Sequence, residues 1–148
     1  MSQLRSKYYR VSVKALVLNE AKDKFLILRQ TDSLWDWDLP GGGLVWGENA
    51  HSGLKREIIE EMSVKTSRIA DRPSYFLGGF QMSREQDVWV VNIIYETELE
   101  TLDFTPTDEC QEIKFISLED LKSLEKVPPT VLELAEQFRP ENHTGTLV

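Results

Sequence analysis

An α/β sandwich with a partly antiparallel sheet, built as one domain, is the fold class this sequence predicts. Three observations carry it. Short apolar runs separated by turn residues occur before, around and after the helical segments. One strongly patterned helix lies near the middle, where Ala50, Leu54, Ile58 and Met62 recur every four residues as a single apolar stripe. Finally, 148 residues at 41% hydrophobic and 28% charged composition suit one core of ordinary globular make-up.

Taken in order, Tyr9 to Leu18 reads as a strand with Val11, Val13, Ala15 and Val17 on one face. Asn19 to Lys24 is a polar turn, and Phe25 to Leu28 continues as a buried strand closed by Arg29, whose guanidinium is a candidate phosphate contact. Ser33 to Pro40 leads into Gly41-Gly42-Gly43, and Pro40 pushes Leu39 towards an extended conformation. Trp35 and Trp46 flank these glycines as candidates for stacking on a base. The patterned helix runs from an Asn49 N-cap to about Met62, with His51 expected as a surface residue of its first turn. Lys65 to Ile69 and Ser74 to Met82 read as strands, with a bulge or close backbone contact at Gly78-Gly79. Val88 to Tyr95 is nearly continuous in apolar residues and belongs at the centre of the sheet, carrying on at an edge through Glu100. An acidic loop, Asp103 to Gln111, precedes a last short strand, Ile113 to Ile116. Ser117 with Asp120 starts one helix, striped by Leu118, Leu121 and Leu124. Thr130 with Glu133 is a capping box for another, with Val131, Leu134, Ala135 and Phe138 inward. Residues 1–139 form the domain, and residues 140–148 are a polar tail expected to lack order.

Composition narrows the function. A net charge of −8 argues against nonspecific nucleic-acid binding, and an anionic substrate would need metal ions or local Arg and Lys side chains to approach. No stretch is long and apolar enough to span a membrane, and MSQLRSKYYR holds no secretory core. The single cysteine, Cys110, reads as a small core residue; with no disulfide to form, a cytoplasmic location is expected.

The chemistry concentrates on the patterned helix. Glu57, Glu60 and Glu61 stand at i, i+3 and i+4, so their carboxylates share a face and oppose one another by roughly 0.2–0.5 kcal/mol per pair. Glu60 and Glu61 also occupy the last turn, where the helix dipole disfavours anions by about 0.3–1 kcal/mol each. Arg56 offsets part of this through an i, i+4 pair with Glu60. A hard divalent cation held by several carboxylate oxygens would turn these liabilities into ligands. Glu48 adds a fourth carboxylate beside the glycines, whose backbone can approach a ligand closely.

From Gly42 to Val64 the chain resembles the Nudix box, GX5EX7REUXEEXGU, where U is bulky and aliphatic. Gly42, Glu48, Arg56, Glu57, Ile58, Glu60, Glu61 and Val64 match, and Ser63 replaces the last Gly. Trp37 to Gly42 also looks like the run that precedes the box in many members. The resemblance implies a Nudix-type α/β/α sandwich with a mixed β-sheet, and Mg²⁺- or Mn²⁺-dependent hydrolysis of a nucleoside diphosphate linked to another group. It implies Glu57, Glu60 and Glu61 as metal ligands, joined by Gly42 backbone, with Glu57 doubling as base. Arg56 would hold a box carboxylate in place, Gly42 and Gly43 would present backbone to substrate, and Glu109 or Glu112 would add a later carboxylate. The oxidised-purine branch places an Asn after a Pro pair, whereas Thr130 and Val131 follow Pro128-Pro129 here. A small nucleotide, either an NTP or dNTP or a nucleotide sugar, is therefore the expected substrate, and a homodimer stays open. A noncatalytic Nudix domain sensing a nucleotide such as ADP-ribose is the alternative; it would be favoured by loss of a box carboxylate, and none is lost. An isomerase of isopentenyl diphosphate would use a cysteine in the site, for which Cys110 has no matching context.

Overall fold

The computed structural model describes residues 9–31, 36–81 and 89–143. Its strands are β1 (Tyr9–Leu16), β2 (Phe25–Arg29), β3 (Trp37–Asp38), β4 (Gly41–Gly43), β5 (Thr66–Ile69), β6 (Tyr75–Gln81), β7 (Trp89–Leu99) and β8 (Glu112–Ile116). Two α-helices, α1 (Ala50–Met62) and α2 (Pro129–Gln137), flank them, with 3-10 turns at Asp120–Ser123 and Pro140–His143. Among the described residues no helix is long and apolar enough to cross a membrane.

The main sheet runs β4-β1-β7-β5, with β6 also paired to β7. The β1–β7 pair is parallel and the other ladders are antiparallel, so the sheet is mixed. β7 is central because it has the longest apolar run: β1 lies along one side, while β6 and β5 share the other. Beyond Glu96 it is paired only with β5, as its polar alternation predicts. The β6 register shifts between Gly78 and Phe80, a bulge at the paired glycines. A second sheet, β3-β2-β8, joins the first where Leu26 N–H donates to the Val17 carbonyl at 2.8 Å.

Alternation along β1 divides the core into two layers. Val13, Ala15 and Val17 pack with Leu54, Ile58 and Met62 of α1, whereas Leu16 packs with Leu77, Ile94, Val131 and Leu134 on the α2 side. The result is an α/β/α sandwich. α1 begins as its sequence predicts, with the Asn49 side chain accepting from Ser52 N–H at 2.9 Å. It ends at Ser63 in the left-handed conformation (φ 57°, ψ 34°), with Ser63 N–H donating to the Ile59 carbonyl. A side chain is strained there, so Ser63→Gly is expected to raise stability by about 1 kcal/mol. A urea midpoint that stays put or falls would contradict this.

Three expectations fail near the C-terminus. Pro129 takes the first position of α2, so Pro128 is the cap and Thr130 sits inside the helix, buried and accepting from the Asn92 amide at 3.2 Å. Glu133 bonds Gln137 instead of closing a capping box. The Ser117–Asp120 box forms, with Ser117 N–H donating to Asp120 at 2.9 Å, but it starts only a single 3-10 turn in which Leu121 is buried and Leu118 exposed. Residues 140–143 are ordered by His143, which is buried, bonded to the Tyr75 hydroxyl at 2.8 Å and to Glu96 at 3.3 Å, and stacked on Phe138.

Candidate active site

The site forms where α1 crosses the start of β4. β4 is an edge strand held by β1, with Lys14 opposite Gly41, Val13 opposite Gly42 and Ser12 opposite Gly43. Gly41 adopts φ 124°, and a Cβ there would strike the Val13 carbonyl, so only glycine lets the strand lie this close to β1. A Cβ on Gly42 would stand 2.6–2.8 Å from the carboxylate atoms of Glu57. The absence of a side chain therefore brings Glu57 directly onto β4 backbone.

Arg56 is the hub of the acidic face. Its Nε and Nη2 donate to the two Glu48 oxygens at 2.8 and 2.9 Å, a forked pairing that suits guanidinium and carboxylate geometry. Nη1 donates to Glu57 at 3.0 Å and to Glu60 at 3.2 Å, and Nη2 also to the Gly43 carbonyl at 3.1 Å. Glu48 in turn accepts from Val45 N–H at 3.1 Å, which ties the loop to the helix. The Arg56 side-chain bond and that Val45 N–H hold the Glu48 carboxyl at about 2, while the same carboxylate, with Glu57 and Glu60, raises Arg56 further above its ordinary range.

The three helix carboxylates, neighbours on one face by their spacing, differ widely in exposure. They fan from Glu60, half exposed, through Glu57, largely covered, to Glu61, only 3% exposed. The fan arises because Glu61 stands beside Met62 on the packed side of the helix. Glu61 accepts from Gly41 N–H at 2.7 Å. Burial pushes its carboxyl up to about 8, against the opposing pull of Lys14 and the Gly41 N–H.

Two members of the site were not singled out from the sequence. Lys14, buried within β1, donates to Asp38 at 3.2 Å and to the Leu39 and Gly41 carbonyls at 3.4 and 3.1 Å. Burial alone would lower the Lys14 pKa, but Asp38, Glu61 and Glu57 together hold it above its usual value. The signal was a lysine between Val13 and Ala15, within the buried half of the strand.

Glu61 gives the metal-free protein a pH signature. Its carboxyl titrates near 8 when folded and near 4.5 when free, so the folded state retains a proton that the unfolded chain releases between those values. The contribution is fully present below about 4.5 and is lost as pH rises through 8. Lys14 stays charged across this window. Urea unfolding in EDTA should therefore show stability falling by up to a few kcal/mol between pH 5 and 8.5, on the order of the full shift, with the slope flattened in Glu61→Gln. An unchanged slope in that variant would remove Glu61 as its source.

The other sequence candidates sit as follows. Arg29 is engaged by Glu112, Nε to Oε2 3.0 Å, across the β2–β8 pair. Glu109 is exposed on a loop pinned to the end of α1: Thr107 Oγ1 donates to the Glu61 carbonyl at 2.7 Å, and Thr105 N–H to that of Met62 at 3.1 Å. Trp46 is fully exposed, and Trp35 lies outside the described residues. His51 is partly covered, edge-on to Tyr95 with ring centroids 5.1 Å apart. Cys110 is buried, and burial raises its thiol to about 11.

Among the described residues no three acidic, histidine or cysteine side chains are already gathered around one point. The donor chemistry nevertheless fits a hard divalent cation, because carboxylates of graded exposure gather beside β4, where Gly42 leaves room for Glu57. The NUDIX domain model matches residues 8–138. The chain belongs to the Nudix family. It is thereby a Nudix pyrophosphohydrolase, of a family generally dependent on divalent metal. A nucleoside triphosphatase, NudI, of Enterobacter sp. (strain 638) is 26% identical over 106 residues, covering 68% of this chain and 75% of its own. A putative 8-oxo-dGTP diphosphatase of Bacillus subtilis (strain 168) is 34% identical over 79 residues, 53% of this chain and 48% of its own length. The MutT protein of Methanosarcina mazei Go1 has a similar structure, with TM-score 0.68 and 30% identity over 93% of this Nudix chain and 97% of that one.

Proposed function

We propose that this Nudix enzyme hydrolyses the diphosphate linkage of a small nucleoside diphosphate derivative, an NTP or dNTP or a nucleotide sugar, with Mg²⁺ or Mn²⁺. Gly42 to Val64 is its box, with Ser63 in the place of the last glycine. The observation that carries the reading is the convergence of Arg56 on Glu48, Glu57 and Glu60, with Glu57 laid against Gly42. The similarity to a nucleoside triphosphatase and a putative 8-oxo-dGTP diphosphatase supports the nucleoside triphosphate class.

In this reading Glu57, Glu60 and Glu61 would hold the cation beside the Gly42 backbone, with Glu109 as an added ligand from its pinned loop. Bound Mg²⁺ supplies charge neutralisation on the phosphoryl oxygens and a frame for in-line attack. Glu57 accepts the proton of the attacking water. Arg56 positions Glu57 through the 3.0 Å bond and would release Glu60, the most exposed of its partners, to the cation. Gly42 and Gly43 let phosphate approach β4. Arg29 reaches phosphate only by leaving Glu112.

The test is a panel of nucleotides, nucleotide sugars and dinucleotides with Mg²⁺, followed by phosphate or pyrophosphate release. Phosphatase is added where the products are monophosphates. Turnover that needs metal and collapses in Glu60→Gln is the expected result. No turnover of any compound, with a thermal shift on ADP-ribose, would instead favour the noncatalytic sensor.

A further inference from the structure

β4 presents opposite faces at successive residues, and its two last glycines accommodate different side chains. Gly42, opposite Val13, faces the α1 side and meets Glu57. Gly43, opposite Ser12, faces the α2 side and meets Arg10. The Arg10 guanidinium fills the space a Cβ on Gly43 would take, with Cζ 2.7 Å from that point and Nη2 and Nε nearer still. The backbone of Gly43 is not left-handed, so conformation does not demand glycine there; the guanidinium does.

Arg10 is also uncompensated among the described residues. Lys14, Lys24, Arg29 and Arg56 each have a carboxylate partner, whereas Arg10, exposed at the start of β1, makes no hydrogen bond or ion pair with any described residue. The face beside it continues with neutral Ser12, Asn92 and Thr130 and then with a second cation, Lys14, whose charge Asp38 already meets. In a chain of net charge −8, a guanidinium with no described acid beside it, laid on an edge strand one residue from the glycine that meets Glu57, marks a place for an anion. A forked guanidinium is well matched to phosphoryl oxygens.

We propose that Arg10 binds a phosphoryl group of the substrate's diphosphate on the α2 face of β4, and that residue 43 is glycine so that the guanidinium can lie there. The inference rests on the hydrolase reading and adds a binding residue outside the box. The diphosphate then crosses the open edge of β4, gripped by Arg10 on one face and presented to the carboxylates on the other. Arg10 binds substrate and transition state alike, so its loss raises KM and leaves kcat within about twofold.

The experiment compares Arg10→Gln, Arg10→Lys, Gly43→Ala and the Arg10→Gln/Gly43→Ala pair on the best substrate of the panel. Arg10→Gln should raise KM roughly tenfold to hundredfold, the loss of a charge-assisted bond, and Arg10→Lys should raise it less. Gly43→Ala pushes away only the tip of a flexible side chain, so it should fold and raise KM similarly. The double variant should add nothing further, since both changes remove one contact. Unchanged KM in Arg10→Gln, or a fall in kcat alone, overturns the proposal while the hydrolase reading stands. If the wild type turns over no compound, that reading has failed, and Arg10 is judged by calorimetry with inorganic pyrophosphate. Binding at least tenfold weaker in Arg10→Gln then upholds the anion site, and equal or absent binding in both proteins overturns it.

Discussion

Glu57→Gln should fold normally and lose roughly 10²- to 10⁴-fold in kcat, the range for removing a general base. The substitution is nearly isosteric. The amide oxygen still accepts from Arg56 Nη1, and the side chain still fits against Gly42. What disappears is the negative charge, and with it both a proton acceptor and a ligand for the cation. Steady-state kinetics with a parallel melting curve separate chemistry from folding. Loss of less than fivefold at saturating Mg²⁺, with an unchanged melt, would assign the base elsewhere.

Lys14→Met should cost about 3–5 kcal/mol of stability, the range for breaking a buried ion pair by removing one partner. The damage is local and identifiable. Asp38 loses its cation, the Leu39 and Gly41 carbonyls lose a donor, and buried Glu61 loses the charge that opposes its desolvation. Adding Asp38→Asn should recover part of the loss, because one stranded charge is removed with its partner. Urea unfolding of the wild type and the two variants checks this. A single-variant loss below 1 kcal/mol would mean that water already reaches the cluster.

Much of the site was legible because its signals are periodic. The stripe Ala50, Leu54, Ile58 and Met62 defined α1 to the residue, and the fixed spacing of Gly42, Glu48 and the Arg56 to Glu61 run marked the chemistry. Alternation marked β1 and apolar runs marked β2 and β7, and the glycine pair marked the bulge after Gly78, while β4, made only of glycines, carried no strand signal. Depth was less legible. Spacing on a helix tells which side chains are neighbours, not how far the sheet rises around each, so buried Glu61 and exposed Glu60 read alike. Lys14 and Asp38, 24 residues apart, meet only once β1 and the β3–β4 segment are side by side. Thr130 and Glu133 matched a capping pattern, but a proline needs no amide partner and could start the helix two residues earlier. His143 finds order through Tyr75 and Glu96, far away along the chain.

The parallel pairing of β1 with β7 sets a schedule for synthesis. Tyr9 lies beside Trp89, so the first strand leaves the ribosome long before its neighbour exists. At roughly 5–20 residues per second the nascent chain holds Val13, Ala15 and Leu16 without β7 for several seconds. β2, α1 and the short β4 emerge early enough to cover part of them in the interval. The glycine edge and the acidic helix can thus serve as a temporary shelter for the strand that anchors the sheet, before they serve any substrate.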